Sequence, residues 1–267
     1  MHMRLCIIGA ALAAVCLLAP CAATIPRVVM QTTDGKDGIP AMVGDNIRKF
    51  AKGWEWKVFN DSECVDFMRH HFDSVVHERF TSYTEGAFKA DLFRYAYLYV
   101  MGGAYFDIKT ELMVPLDWLF SEHAIYLVSS VFTSRTIYNG IIATPPRQPV
   151  FLDMVNYMVD KGPHPAAQLG GHFNLRHLFS LVAHCGPPTR DWTCSSTPPS
   201  PCILNNTRVF FMTEESKHTS RCHDGVDRHN LCMFAVYEGD TVFKIRYASY
   251  GRTWGAKRRR WLRLPAR

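Results

Sequence analysis

The chain has 267 residues, 48% of them hydrophobic and 20% charged, which is enough for one substantial domain and too little for two large ones. Its formal charge of +6 is concentrated at one end: residues 241–267 hold nine Lys or Arg and no Asp or Glu, and beyond these and Arg4 there are 20 basic against 24 acidic residues. A nucleic-acid binder carries a basic face across its domain, so a basic tail on a near-neutral body argues against that class; Lys257-Arg-Arg-Arg260 reads as a solvated end or a contact to an acidic membrane surface.

Residues 1–23 start with a positive Met1-His-Met-Arg4, continue as an apolar run from Leu5 to Ala19, and end in small residues at Ala23. This is the pattern of a secretory signal peptide cleaved after Ala23. The rival reading is an uncleaved signal anchor, which would associate the protein with a membrane through its N-terminus. The strand-like Ile25-Pro-Arg-Val-Val that follows directly favours cleavage. Six cysteines then remain, at 64, 185, 194, 202, 222 and 232, an even number that predicts disulfides in an oxidising compartment, with Cys194 to Cys202 as the local pairing across a Ser/Thr/Pro stretch. Asn60-Asp-Ser62 and Asn205-Asn-Thr207 are formal N-glycosylation sequons.

In chain order, the hydrophobic pattern predicts a strand at Arg27–Thr32, a helix over Asn46–Lys52, a strand at Trp54–Asn60 and a helix capped by Ser62 and running to Arg69. The clearest helix spans Glu85–Met101, with Phe88, Leu92, Tyr95 and Tyr99 at helical spacing, and Gly102-Gly103 stops it. Strands follow at Ala104–Ile108, Ala124–Ser129 and Tyr138–Thr144, then helices at Val150–Asp160 and Asn174–His184. Late strands are predicted at Arg208–Thr213, Met233–Tyr237 and Val242–Tyr247. Alternating strands and helices give an α/β domain of Rossmann type over residues 24–267, with ligands beyond the carboxyl ends of the strands. There is no internal repeat, no Gly-rich phosphate loop and no HExxH pattern. No set of Ser, His and Asp stands out as a hydrolase triad, and the scattered histidines read as surface or core residues.

The informative segment is Gly86–Leu112, GAFKADLFRYAYLYVMGGAYFDIKTEL. Asp91 and Arg94 are three apart and share a helical face. Asp107 falls near the end of a strand that begins at the Gly-Gly turn, where a carboxylate faces the ligand crevice. Taken singly, the first pair would be a surface ion pair and Asp107 a strand-end turn residue; the two together, joined by this turn, point to a binding site.

This segment resembles the sugar-binding region of glycosyltransferase family 32. The similar elements are a first strand, Ile25-Pro-Arg-Val-Val-Met-Gln-Thr32; a helix motif, Lys89-Ala-Asp91-Leu-Phe-Arg94-Tyr95; a strand motif, Gly102-Gly-Ala-Tyr105-Phe-Asp107; and Tyr138-Asn139-Gly140 ahead of a Pro149-bearing helix. The resemblance runs from about residue 25 to 160 and is most specific over 86–107. It implies a GT-A-like fold with a mixed sheet and a retaining transferase that takes a nucleotide-sugar, a UDP- or GDP-hexose. By it, Asp91 and Arg94 hold ribose and sugar hydroxyls, Gln31 and Thr32 lie by the nucleotide, and Tyr105 and Asn139 complete the donor site. Asp107 is the first acid of the family's Asp-x-Asp motif, and Trp254 stacks on the donor base.

The pattern breaks at the second acid, because the triplet here is Asp107-Ile108-Lys109. An ammonium has no lone pair for Mn²⁺ or Mg²⁺. Arg246, in Arg246-Tyr-Ala-Ser-Tyr-Gly-Arg252-Thr-Trp254, stands where many relatives place a His that helps hold the metal. One reading is that Lys109, Arg246 and Arg252 replace the cation at the diphosphate. A second keeps the metal on Asp107 with Glu111 or another residue. A third is a degenerate site that binds but does not turn over. The expectation is a hexosyltransferase of the secretory pathway, in the Golgi lumen or membrane, acting on a glycan or lipid hydroxyl. The rival classes are a secreted sugar-nucleotide- or carbohydrate-binding protein and an extracellular interaction module that works through its basic tail.

Overall fold

The computed structural model describes residues 24–35, 39–120, 123–130, 135–161, 173–182, 202–218 and 231–245. The signal segment, Arg246, Arg252, Trp254, the basic tail, Cys185, Cys194 and Cys222 lie outside these residues. Those described form an α/β fold built on one mixed ten-stranded sheet, in the order β2-β1-β3-β6-β5-β8-β9-β10-β4 with β7 paired to β8. This matches the mixed-sheet, Rossmann-type expectation.

The first half is β1 (Val28–Thr32), α1 (Ala41–Phe50), β2 (Glu55–Phe59), α2 (Asp61–His71), α3 (Ser74–Ser82), α4 (Gly86–Met101), β3 (Gly103–Phe106), β4 (Glu111–Leu112) and α5 (Leu116–Leu119). The second half is β5 (Ala124–Ser129), β6 (Ile137–Thr144), α6 (Pro149–Lys161), α7 (Phe173–Val182), β7 (Cys202–Leu204), β8 (Thr207–His218), β9 (Leu231–Tyr237) and β10 (Asp240–Lys244).

β1 is parallel to β2 and β3, β6 is antiparallel to both β3 and β5, and β5 is parallel to β8. The carboxyl ends of β1, β3, β5 and β8 therefore share one edge of the sheet. Strand parity divides the core in two. Tyr105, Ile125, Leu127 and Ile142 face the helices α2, α3, α4, α6 and α7. Ala104, Phe106, Ala124, Tyr126, Ala143, Met212 and Phe243 face the other way. That second face is concave. In a flat sheet six strand spacings, roughly 29 Å, would separate β3 from β4. The five residues from Phe106 to Glu111 reach at most about 18 Å. The sheet must curl to let β4 pair with β10, and Phe106 meets Phe243 across the interior at 5.2 Å between ring centroids.

The Gly102-Gly103 turn is a steric necessity. Both residues take positive φ, 66° and 96°. A Cβ at 102 would lie 2.6 Å from the Pro146 nitrogen, and one at 103 would lie 2.8 Å from the Val28 carbonyl oxygen. The helix can thus reverse into β3 in a single step.

Several boundaries differ from those expected. α1 starts at Ala41, five residues early, because Pro40 sets its N-terminus and Gly44 lies inside it under the Trp56 ring. α2 is capped by Asn60, not Ser62. The Asn60 side chain accepts from the Glu63 N–H at 3.0 Å, and Glu63 accepts from the Asn60 N–H at 2.9 Å. The unforeseen α3 starts at Asp73, whose carboxylate accepts from the Val76 N–H. β8 extends five residues past Thr213, and the last described strand stops at Lys244. Of the six cysteines whose even number suggested disulfides, Cys64 is unpaired. It is a free thiol buried on the inner face of α2, where burial raises its pKa far above the usual thiol range. The expected Cys194–Cys202 pairing lies outside the described residues.

Candidate active site

Three expected residues, Asp91, Arg94 and Asp107, come together where α4 passes the carboxyl end of β3. Arg94 is 4% exposed and sits between the two carboxylates. One Nη2 reaches both, Asp91 Oδ1 at 3.1 Å and Asp107 Oδ1 at 3.3 Å. Its Nη1 donates to the Asn139 carbonyl at 2.6 Å, its Nε donates to the Ala90 carbonyl at 3.4 Å, and its guanidinium lies 4.2 Å from the Tyr105 ring centre. A surface ion pair would leave such an arginine free; here it is fixed by its protein partners.

Asp91 is held from three elements. It accepts from Asn139 Nδ2 on β6 at 3.0 Å, from Asn174 Nδ2 on α7 at 2.6 Å, and from Arg94. Burial pushes its carboxyl up, against the pull of Arg94 and the two amides. Asn139 Nδ2 also donates to the Tyr95 hydroxyl at 3.0 Å, so Asn139 belongs to this buried network.

Asp107 is the first residue after β3, and its N–H continues the ladder to Gly140 O at 2.8 Å. Oδ1 takes the Tyr105 hydroxyl at 2.8 Å as well as Arg94, whereas Oδ2 has the long Tyr138 hydroxyl contact at 3.4 Å. Oδ2 is therefore the less tightly held of the two oxygens. Burial raises the carboxyl, but the charges of Arg94 and Lys109 and the Tyr105 and Tyr138 hydroxyls outweigh it and hold Asp107 below the usual carboxylate range. Burial keeps both tyrosines protonated as donors. Beside Oδ2 there is no room for a side chain: a Cβ at Gly140 would lie 2.7 Å from it and 2.4 Å from the Tyr138 hydroxyl.

Gln31 is fully buried. It accepts from Trp56 Nε1 at 2.8 Å and donates to the Asp107 carbonyl at 3.5 Å, tying β1 to the site loop. Thr32 hydrogen-bonds the Tyr105 hydroxyl. Lys89 points away from the site and pairs with Asp61 at 3.0 Å, joining α4 to α2. Glu111 lies on β4 across from Lys244, at 3.7 Å.

Sequence reasoning gave no role to three contributors. Tyr138 was visible only as part of a resemblance. Asn174 is fully buried on α7, 83 residues from its partner Asp91. Asn46 clamps the edge of β4 from α1, with Nδ2 donating to Leu112 O at 3.0 Å and Oδ1 accepting the Leu112 N–H at 2.8 Å. That clamp fixes the far end of the loop that carries Asp107 and Lys109.

Among the described residues, the groups beside Asp107 do not by themselves make up a protein-held divalent-cation site. They offer one carboxylate oxygen and an ammonium, and no group of three His, Cys, Asp or Glu side chains lies together among the described residues.

Residues 43–125 match the family described as "Glycosyltransferase sugar-binding region containing DXD motif". An uncharacterized glycosyltransferase of Acanthamoeba polyphaga mimivirus is 28% identical over 137 residues, which are 48% of this chain and 53% of that one, so the chain spans about half the length of this relative. A solved structure, the PaToxG glycosyltransferase, overlaps 61% of this chain and 72% of its own at 13% identity, with a TM-score of 0.42. α4, β3 and the Asp107-Ile-Lys109 triplet all lie within the residues that are similar to that sugar-binding region.

Proposed function

We propose that this chain is a retaining hexosyltransferase that moves a sugar from a UDP- or GDP-hexose to a glycan or lipid hydroxyl in the secretory pathway. The observation that carries the reading is Asp107. Its Oδ1 is fixed by Arg94 and Tyr105, and its Oδ2 is presented at the shared carboxyl edge with Lys109 close enough to stabilise its charge. Preorganised charges of this kind are what a sugar diphosphate requires, and here they need not rearrange during reaction.

In this mechanism Oδ2 accepts a hydrogen bond from a donor-sugar hydroxyl. Lys109 faces the diphosphate, and a single such pair near a protein surface is worth on the order of 4 kcal/mol. Arg246, by its place in the sequence, adds a second cation. The bond from the anomeric carbon to the phosphate oxygen breaks, and the acceptor oxygen bonds to the same face of that carbon. The acceptor's proton passes to the departing phosphate oxygen. No step runs through a metal. The apolar leader supports secretory routing; no helix among the described residues is long and apolar enough to cross a membrane.

The test is a screen of donor hydrolysis across UDP- and GDP-sugars with and without chelator. Nucleotide release that persists in EDTA is expected, together with a loss of at least about 10²-fold in Asp107→Asn. Release abolished by EDTA and restored by Mn²⁺ refutes the replacement of metal by Lys109. Binding of a sugar nucleotide without any release favours a second reading, a non-catalytic binding protein, for which the lysine in place of the second acid is the specific argument.

A further inference from the structure

One carboxylate on the site's edge has no part in the mechanism above. Glu214 lies on β8, 5% exposed, and its Oε2 accepts from the Ser130 hydroxyl at 2.7 Å. Its position follows from strand register. The parallel pairing of β5 with β8 ends at Ser129 opposite Thr213, whereas β8 continues with β9 as far as His218 opposite Leu231. Residues 214–218 and their β9 partners thus form an arm about 17 Å long beyond the end of β5. β8 runs in the same direction as β3, so this arm projects past the edge that presents Asp107.

Glu214 stands at the root of the arm. It is two residues beyond Met212 and pairs with Ala235, both part of the concave core, so it shares the concave face with Tyr138. Its charge is felt at Tyr138, whose hydroxyl contacts Asp107 Oδ2. Along four neighbouring strands the edge reads Asp107 after β3, Tyr138 on β6, Ser130 after β5 and Glu214 on β8. A second carboxylate buried at such a place is costly unless it is well hydrogen-bonded, and it serves groups that donate.

We propose that Glu214, held by Ser130, is the acceptor-side binding residue, accepting a hydrogen bond from a hydroxyl of a neutral sugar acceptor while the donor lies at Asp107. This assignment rests on the glycosyltransferase reading and names the part of the edge that takes the second substrate.

The experiment measures transfer and donor hydrolysis side by side, with methyl α-hexopyranosides of mannose, galactose and glucose as acceptors and the donor found in the screen. Glu214→Gln keeps the shape and an oxygen for Ser130 but loses the charge. Its ratio of transfer to hydrolysis should fall by about 10- to 100-fold, seen as a raised acceptor KM, because a hydrogen bond to a charged group is lost. An unchanged ratio overturns the assignment, whether both rates fall together or neither does. Should Glu214→Gln fail to fold, Ser130→Ala removes the Ser130 hydrogen bond while keeping the carboxylate, with an expected drop in the ratio of about 3-fold; an unchanged ratio there is equally fatal. A wild-type protein that hydrolyses no donor refutes the underlying reading before any variant is made, and this assignment with it.

Discussion

The replacement of Gly140 by alanine probes the Asp107 oxygen to which the proposed mechanism gives the substrate contact, without touching its charge. The new methyl group would lie 2.4 Å from the Tyr138 hydroxyl oxygen, 2.5 Å from Tyr138 Cζ and 2.7 Å from Asp107 Oδ2, where ordinary contact begins at 3.4 Å. Relief requires Tyr138 to move by about 1 Å and Oδ2 by about 0.7 Å. The carboxylate cannot turn away freely, since Oδ1 is pinned by Tyr105 at 2.8 Å and by the buried Arg94. Overpacking of this size costs about 1–3 kcal/mol of stability, which chemical denaturation will read. A misplacement near 1 Å at a reacting centre costs on the order of 10²-fold in rate, so kcat for donor hydrolysis should fall far more than stability predicts. Adding Tyr138→Ala removes two of the three close contacts, and the double variant should recover roughly 10-fold over Gly140→Ala alone. A folded Gly140→Ala protein with turnover within about 3-fold of wild type would refute the claim that Oδ2 faces the substrate.

Other consequences are equally direct. Arg94→Met leaves Asp91 and Asp107 without their shared cation and should cost about 3–5 kcal/mol in denaturant unfolding, as the loss of one partner from a buried ion pair does. Asn60→Ala removes one half of the α2 capping box and should cost about 1 kcal/mol with no change in kcat/KM. The pH dependence of stability has a defined sign. Asp107 ionises more readily folded than unfolded, so its contribution is fully present above its unfolded value of 3.8 and is lost as pH falls through the lower folded value. Asp107→Asn should therefore flatten the acid side of the stability curve, measured by urea unfolding between about pH 5 and pH 2. Asn174→Asp would set a second carboxylate against Asp91, where the amide now donates at 2.6 Å; the two must share a proton, and turnover should acquire a pH dependence near neutrality that wild type lacks.

What could be read in the sequence was local. The helix at Gly86–Met101, the double-glycine reversal and the carboxylate after the next strand lie within a few turns of one another, and side-chain periodicity places them on one edge. The same logic set the cap of α2 at Ser62 and missed Asn60 two residues earlier, and it missed α3, whose Val75 and Val76 are weak helix formers. Residues supplied from afar could not be read. Asn174 meets Asp91 across 83 residues, Glu214 meets Ser130 across 84, and Asn46 meets Leu112 across 66; only the folded sheet brings them together. The buried state of Arg94 was also hidden, because an Asp and an Arg three apart look the same on a solvated helix as on one enclosed by β6 and α7. Gln31, expected beside the nucleotide, is buried as a tie between Trp56 and the Asp107 loop, a place that strand alternation alone does not reveal.

The curl of the sheet has a consequence for how the protein is made. Phe106 and Glu111 are neighbours in the chain, yet the strand that receives Glu111 ends at Lys244. A growing polypeptide can form α4 and β3 early, but the stretch with Asp107 and Lys109 has nothing to anchor its far end until more than 130 further residues have been synthesised. Closure over such a separation is slow. The loop with Asp107 and Lys109 should therefore be among the last parts to set, and a chain cut short before β10 would carry all of the matched residues 43–125 without the seam that holds that loop in place.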